Sequence, residues 1–365
     1  MNLDRREFFR RGSALAGAAV LPFDAPRSAR ARSRDGLVRL ASNENPYGPS
    51  PRARDAMVEH WEEASRYGAS ALNELRDAIA VAEKVPQDHV LVTQGSIEGL
   101  CATAAALCKD GGEFVHASPT YESMHGYAER LGATLVPVPL DGGLAHDLPA
   151  MAAKVGARTR VVFVCNPNNP SGTIADGAAL SSFCETVGEK ALVFVDEAYR
   201  DFVDDPSHRS MVPLALAGPN VVVARTASKI HGMAGLRIGW LIAKPDRLAR
   251  IRDFKMGFPN AMAARAVIAS LGDQEYSAFC KGQNARARRI LVGALDELGL
   301  RHAPSHTNFV FFHSKRDATQ LRAAFEPLGF AIGRAFPPLT DWCRVSLGTP
   351  EEMTGFVTAL RKVFA

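Results

Sequence analysis

From about Pro51 onward the chain alternates short apolar runs with longer helical stretches. The runs fall at Val90–Thr93, Glu113–His116, Thr134–Val138, Arg160–Cys165, Ala191–Val195, Asn220–Arg225 and Arg237–Ala243. They are rich in valine, isoleucine and phenylalanine, the residues that fit a pleated surface. Helical segments such as Ile97–Leu107 and Ser123–Leu131 lie between them. This alternation predicts an α/β domain over residues 51–258, built on a seven-stranded, mostly parallel sheet.

At about Pro259 the pattern changes. One long helical stretch, roughly Ala261 to Leu298, is expected to lead into a small α+β unit. Its strands are expected near Asn308–His313 and Cys343–Leu347. Residues 259–365 thus read as a smaller C-terminal domain. Residues 32–50 read as a polar arm containing proline and glycine. The 365 residues, 47% hydrophobic and 22% charged, suit a globular protein of one large domain and one smaller.

Residues 1–31 stand apart. Asp4-Arg5-Arg6-Glu7-Phe8-Phe9-Arg10 precedes an apolar run from Gly12 to Leu21, and then Ala29-Arg30-Ala31. A basic start, a short apolar centre and a small-residue site make an export signal. The paired arginines followed by phenylalanine resemble a twin-arginine signal, which predicts a periplasmic or exported protein. The apolar run is too short to span a bilayer, and no later segment reads as a membrane span.

Charge and cysteine narrow the classes further. The formal net charge is +4. Residues 1–31 carry six arginines against three acidic residues, so the remainder is near neutral. No basic patch for nucleic acid is indicated. The six cysteines, at 101, 108, 165, 184, 280 and 343, show no CxxC and no zinc-type spacing. Cys101 and Cys108 fall on one helix about 10 Å apart, beyond disulfide reach. All six read as core thiols. The histidines and acids form no HExxH or other ligand motif, so no metal is expected.

The chemistry gathers after the strands, where open α/β sheets bind ligands. Val92-Thr93 is followed by Gln94-Gly95-Ser96, which opens a helix and can seat a phosphate. Pro119-Thr120-Tyr121 places an aromatic ring at the rim. Asn166-Pro-Asn-Asn169-Pro-Ser-Gly-Thr173 follows Cys165, and Asp196-Glu-Ala-Tyr199 follows Val195. Arg225-Thr-Ala-Ser228-Lys229 precedes a glycine-rich run to Arg237. Together these match the needs of pyridoxal 5'-phosphate. A lysine forms a Schiff base, and a carboxylate keeps the ring nitrogen protonated. Asn169 and Tyr199 can serve the phenolate oxygen, and Tyr121 can stack on the ring. Ser96, Ser228 and Arg237 can hold the phosphate.

These motifs resemble those of class I/II aminotransferases of fold type I, and more closely the histidinol-phosphate aminotransferase branch. The resemblance covers about residues 37–363. The arm Asn43-Glu44-Asn45-Pro46-Tyr47-Gly48 and the segment Cys343-Arg344-Val345-Ser346-Leu347-Gly348-Thr349 belong to it. It implies that Lys229 is the Schiff-base lysine and the proton carrier, with Asp196 on the pyridine nitrogen. Asn169 and Tyr199 would contact the phenolate oxygen, and Gly95, Ser96, Ser228 and Arg237 the phosphate. Arg344 would take the substrate carboxylate, Arg334 would stand near its side group, and Asn45 and Tyr47 would border the substrate. Tyr67 would reach the phosphate of the partner subunit in a homodimer, although Tyr67-Gly68-Ala69 stands where the family has Tyr-Pro-Asp. His231 reads as a packed residue.

The implied reaction moves an amino group between an amino acid or amino phosphate and a 2-oxo acid such as 2-oxoglutarate. Decarboxylation, racemisation and elimination use the same lysine and aspartate. A non-catalytic cofactor-binding sensor is the remaining alternative, and the short leader has no room for the DNA-binding module such sensors carry.

Overall fold

Along the central strands valines alternate with bulkier apolar residues, and the sheet buries both faces by means of that alternation. The computed structural model describes residues 36–365. The expected export signal at 1–31 lies outside the described residues. In chain order the elements begin with β1 (Val38–Leu40), α1 (Pro51–Glu59), α2 (Ala69–Glu83) and β2 (Val90–Thr93). There follow α3 (Gly95–Cys108), β3 (Glu113–Ser118), α4 (Ser123–Arg130), β4 (Thr134–Pro139), α5 (Leu148–Ala153) and β5 (Thr159–Cys165). Next come α6 (Gly177–Gly188), β6 (Leu192–Asp196), α7 (Val212–Ala217), β7 (Val221–Thr226), β8 (Gly239–Ile242) and α8 (Pro245–Arg252). The chain closes with α9 (Ala261–Leu271), α10 (Gln274–Glu297), β9 (Phe309–His313), α11 (Ala318–Phe325), β10 (Phe330–Ile332), β11 (Trp342–Ser346) and α12 (Pro350–Phe364).

Seven strands form one sheet in the order β2-β8-β7-β6-β5-β3-β4. Only β8 runs against its neighbours, pairing antiparallel with both β2 and β7. Val162, Val164, Val193, Val195, Val221 and Val223 face one core, which they share with Leu75, Ile79, Leu180 and Phe183. The residues between them, Val161, Phe163, Leu192, Phe194 and Val222, face a second core with Leu100 and Cys108 of α3. A two-residue side-chain period with helices on both faces explains why these strands read as unbroken apolar runs. Truncating a fully buried ring such as Phe163 would cost about 3–5 kcal/mol.

The C-terminal elements gather a separate core around Leu291, Leu295, Val345, Phe325 and Phe356. β9 and β11 pair antiparallel, which sets Arg344 opposite Phe311. The long helix expected over Ala261 to Leu298 is in fact two helices. Asp273 breaks it, its side chain accepting from Tyr276 N to start α10, a cap worth about 1 kcal/mol. The arm also begins as a strand: β1 pairs parallel with β10, and Leu40 is buried in the C-terminal core. All six cysteine thiols are free, five of them buried and Cys101 partly exposed.

Candidate active site

Parallel strands end together, so the residues that follow them meet. Asp196, the last residue of β6, lies beside Cys165, the last of β5. The loops after β2, β3, β5, β6 and β7 surround one cleft of about 240 Å³. Ser96, Tyr121, Asn169, Asp196, Tyr199, Ser228, Lys229, Arg237 and Arg344 all line it. Sequence reasoning had singled out each of these residues.

Lys229 Nζ donates to the Asn43 carbonyl at 3.2 Å and lies 5.3 Å from the centre of the Tyr199 ring. Burial, and then the nearby Arg344 guanidinium, push its ammonium down to about 8. Asp196 is buried and accepts from the Ala198 amide at 3.1 Å. Burial pushes its carboxyl up to about 6, against the opposing pull of that amide and of Lys229. Both shifts run toward neutral pH, as those of residues that handle protons commonly do. Burial pushes the Tyr199 hydroxyl far above its ordinary range, so it stays protonated.

One end of the cleft is basic. Arg237 Nη1 donates to the Ala234 carbonyl at 2.7 Å and reaches Ser228 Oγ at 3.4 Å. Gly95 opens α3 with a φ of +71°, and a Cβ there would lie 2.2 Å from Arg237 Nη2. The backbone can come this close to the guanidinium only at glycine. A helix N-terminus, a guanidinium and two serine hydroxyls suit a phosphate dianion. At the floor, a protonated ring nitrogen would give the buried Asp196 carboxylate a counterion. The side chains present therefore fit pyridoxal phosphate at both ends.

The opposite wall belongs to the C-terminal unit. Arg344 is the third residue of β11, and its buried guanidinium donates to Asn169 Oδ1 at 2.5 Å and to the Ala41 carbonyl at 2.7 Å. Its Nε is buried without a hydrogen-bond partner. It lies over two aromatic rings, 5.4 Å from Phe309 and 4.8 Å from Phe336.

Besides Gly95, which borders the cleft behind Arg237, four expected residues do not line it. Asn45 ties the arm down, donating to the Ile230 carbonyl at 2.9 Å and accepting from Tyr47 N at 3.0 Å. Tyr47 packs edge-on against Phe279 with ring centres 5.1 Å apart. Arg334 stands outside, paired with Glu122 at 2.7 Å. Tyr67 is fully exposed on the surface, beside a separate hollow of about 1000 Å³. His231 is buried with Nδ1 2.9 Å from Ser270 Oγ, also outside the cleft.

Two features were missed. Asn43 lies on the cleft wall with a φ of 54°. Its amide donates to Tyr199 at 3.0 Å and to Ser346 Oγ through the backbone at 2.8 Å, and its Oδ1 accepts from Ser346 Oγ at 2.8 Å. Its only signal in the sequence was its place at the head of the arm motif Asn43-Glu44-Asn45-Pro46-Tyr47-Gly48. Beyond Asp196 lies a buried ion cluster around a second hollow of about 360 Å³. There Arg225 is 3.0 Å from Glu197 and 3.5 Å from Glu83. Among the described residues no group of three histidines, cysteines or acids could hold a metal. No helix there is long and apolar enough to cross a membrane.

Comparison with known proteins covers most of the chain. The family model for aminotransferase class I and II matches residues 35–360. The chain belongs to this family. It is 35% identical over 333 residues to a histidinol-phosphate aminotransferase of Moorella thermoacetica, covering 90% of this chain and 86% of that one. It is 37% identical over 325 residues to an aromatic amino acid aminotransferase of Thermobifida fusca, covering 89% of each. The crystal structure of the Sinorhizobium meliloti histidinol-phosphate aminotransferase in complex with pyridoxal-5'-phosphate superposes with a TM-score of 0.83. That match has 27% identity and covers 94% of this chain and 95% of the other. The chain is thus a pyridoxal-phosphate-dependent aminotransferase of fold type I.

Proposed function

We propose that this aminotransferase moves an amino group between an amino acid or amino phosphate and a 2-oxo acid such as 2-oxoglutarate, with Lys229 carrying the proton. The observation behind this reading is the meeting of Lys229, Asp196 and Arg344 in one cleft. When bound, pyridoxal phosphate supplies a ring that accepts the electron pair left as the substrate Cα loses its proton. Asp196 keeps the ring nitrogen protonated. Ser96, Ser228 and Arg237 would hold the phosphate end, and Asn169 and Tyr199 would contact the phenolate oxygen. Lys229, with its ammonium held near 8, can take and return a proton close to neutral pH. Arg344 holds the carboxylate through two parallel N–H donors.

Purified protein should show the visible absorbance of lysine-bound cofactor and lose it in Lys229→Ala. An unchanged spectrum in that variant would sink the reading. Decarboxylation would instead release carbon dioxide, racemisation an inverted amino acid, and elimination free ammonia together with an oxo acid, none of them consuming a 2-oxo acid acceptor. A panel of amino donors against 2-oxoglutarate, followed by product mass, identifies the substrate.

The active form in this reading is a homodimer. Tyr67, Met256 and Phe258 are all more than four-fifths exposed and border one hollow. Large exposed apolar groups clustered in this way mark interaction surfaces. The segment adjoins the phosphate loop, since Gln94 Nε2 donates to the Phe258 carbonyl at 2.7 Å. A monomer in gel filtration with full activity would refute this. The leader supports export by a twin-arginine route, hence a periplasmic substrate distinct from that of cytoplasmic histidine synthesis. Fractionation that finds the full-length protein only in the cytoplasm counts against it.

A further inference from the structure

Arg334 and Arg344 lie over the same aromatic ring. The Arg334 guanidinium is 4.5 Å from the centre of Phe336, and that of Arg344 is 4.8 Å from it. Their situations differ. Arg344 is buried, and its donors point at Asn169 and Ala41. Arg334 is half exposed and already engaged: Nη2 meets the Glu122 carboxylate at 2.7 Å, while Nη1 donates to the Ala335 carbonyl at 2.9 Å. Glu122 directly follows Tyr121, which lines the cleft. It stands at the N-cap of α4 but makes no capping bond with its side chain. Its carboxylate is therefore given over to Arg334.

We propose that Glu122 is a specificity-determining residue, which sets the preference between substrates with one anionic group and substrates with two. The inference rests on the cleft being the substrate site, with Arg344 taking the first carboxylate. A side group leaving Arg344 along Phe336 arrives at Arg334. An uncharged side group leaves Glu122 paired with Arg334 and lies on the ring. A second anion takes Arg334 and sends Glu122 to water. A half-exposed ion pair is marginal in water, so this exchange costs little. Glu122 nevertheless competes with the second anion for the Arg334 guanidinium, which weakens binding of that anion. Amino transfer needs such tolerance, because donor and acceptor pass in turn through one site.

The test uses the holoenzyme and the visible absorbance of its bound cofactor. Wild type, Glu122→Gln, Arg334→Gln and the double variant are titrated with succinate, which has two carboxylates, and with 3-phenylpropionate, which has one. The readout is the ratio of the two affinities, so any general effect of a substitution divides out. Glu122→Gln should raise the preference for succinate about three- to tenfold. Arg334→Gln should lower it, and the double variant should match Arg334→Gln alone. An unchanged ratio in Glu122→Gln, or the same rise in the Arg334→Gln background, overturns the proposal. If neither carboxylate perturbs the wild-type spectrum, the substrate-site reading itself fails and takes this inference with it.

Discussion

Arg344 and Asn169, 175 residues apart in the chain, meet across the cleft with Nη1 2.5 Å from Oδ1. The guanidinium that would hold the substrate carboxylate is thereby tied to the loop after β5. Its plane is fixed before any substrate arrives, which reduces the ordering cost of binding.

Arg344→Lys keeps the charge but loses this fork. Affinity for carboxylate ligands should fall about 10- to 100-fold. Amines that lack a carboxylate should be affected far less. Spectral titration with matched pairs of ligands checks this, and an equal loss for both kinds would remove Arg344 from the carboxylate role.

Asn43 combines a left-handed backbone with bonds to Tyr199 and Ser346. Asn43→Ala should destabilise the protein by roughly 2–4 kcal/mol through lost buried hydrogen bonds and backbone strain. Asn43→Gly should recover about 1 kcal/mol of that, because glycine tolerates the conformation. Urea denaturation of both variants measures the difference. An alanine variant as stable as the glycine one would show that backbone strain plays no part.

The Asp196 carboxyl is raised from 3.8 to about 6 in the folded, cofactor-free protein. Unfolded chains release that proton near 3.8, while folded ones hold it to about 6. Wild-type stability from this group is therefore complete below pH 4 and falls as pH rises to 6. Asp196→Asn lacks the titration. Its stability relative to wild type should climb across pH 4–6 by up to about 3 kcal/mol and level off above. Denaturation curves of the cofactor-free proteins at several pH values test the sign, which a depressed carboxyl would reverse.

Arg225 is buried against Glu197 and Glu83, and Glu197 also accepts from the Met211 amide at 2.7 Å. Arg225→Met would leave the buried Glu197 carboxylate without its counterion, while Glu83 keeps Arg200 at 3.6 Å. A loss of about 3–5 kcal/mol is expected, with partial recovery on adding Glu197→Gln. Thermal or urea unfolding of the single and double variants decides it, and strictly additive losses would mean the two groups act independently.

The strand-end motifs were legible in the sequence because each is short, local and made of residues chosen for chemistry. Lys229, Asp196, Asn169 and Arg237 could be placed once the strands before them were placed. What escaped depends on contacts between distant segments. Nothing local in Val38–Leu40 signals its pairing with Phe330–Ile332. Helical periodicity runs through Gly272 and Asp273, so the cap that separates α9 from α10 was hidden in a pattern that looked continuous. Asn45 and Tyr47 carry the right chemistry for a site. Their side chains are instead spent on anchoring the arm to Ile230 and Phe279.

The asparagine at 43 also bears on how the protein is made. Its side chain bonds to a residue 156 positions further along, and its backbone to one 303 positions further. A ribosome synthesises the arm long before Ser346. Until then the growing chain can shape the sheet and the phosphate loop, but it has neither the clasp nor Arg344. Cleft completion therefore waits until Arg344 and Ser346 have been made, and a chain released before them would be left with half a site.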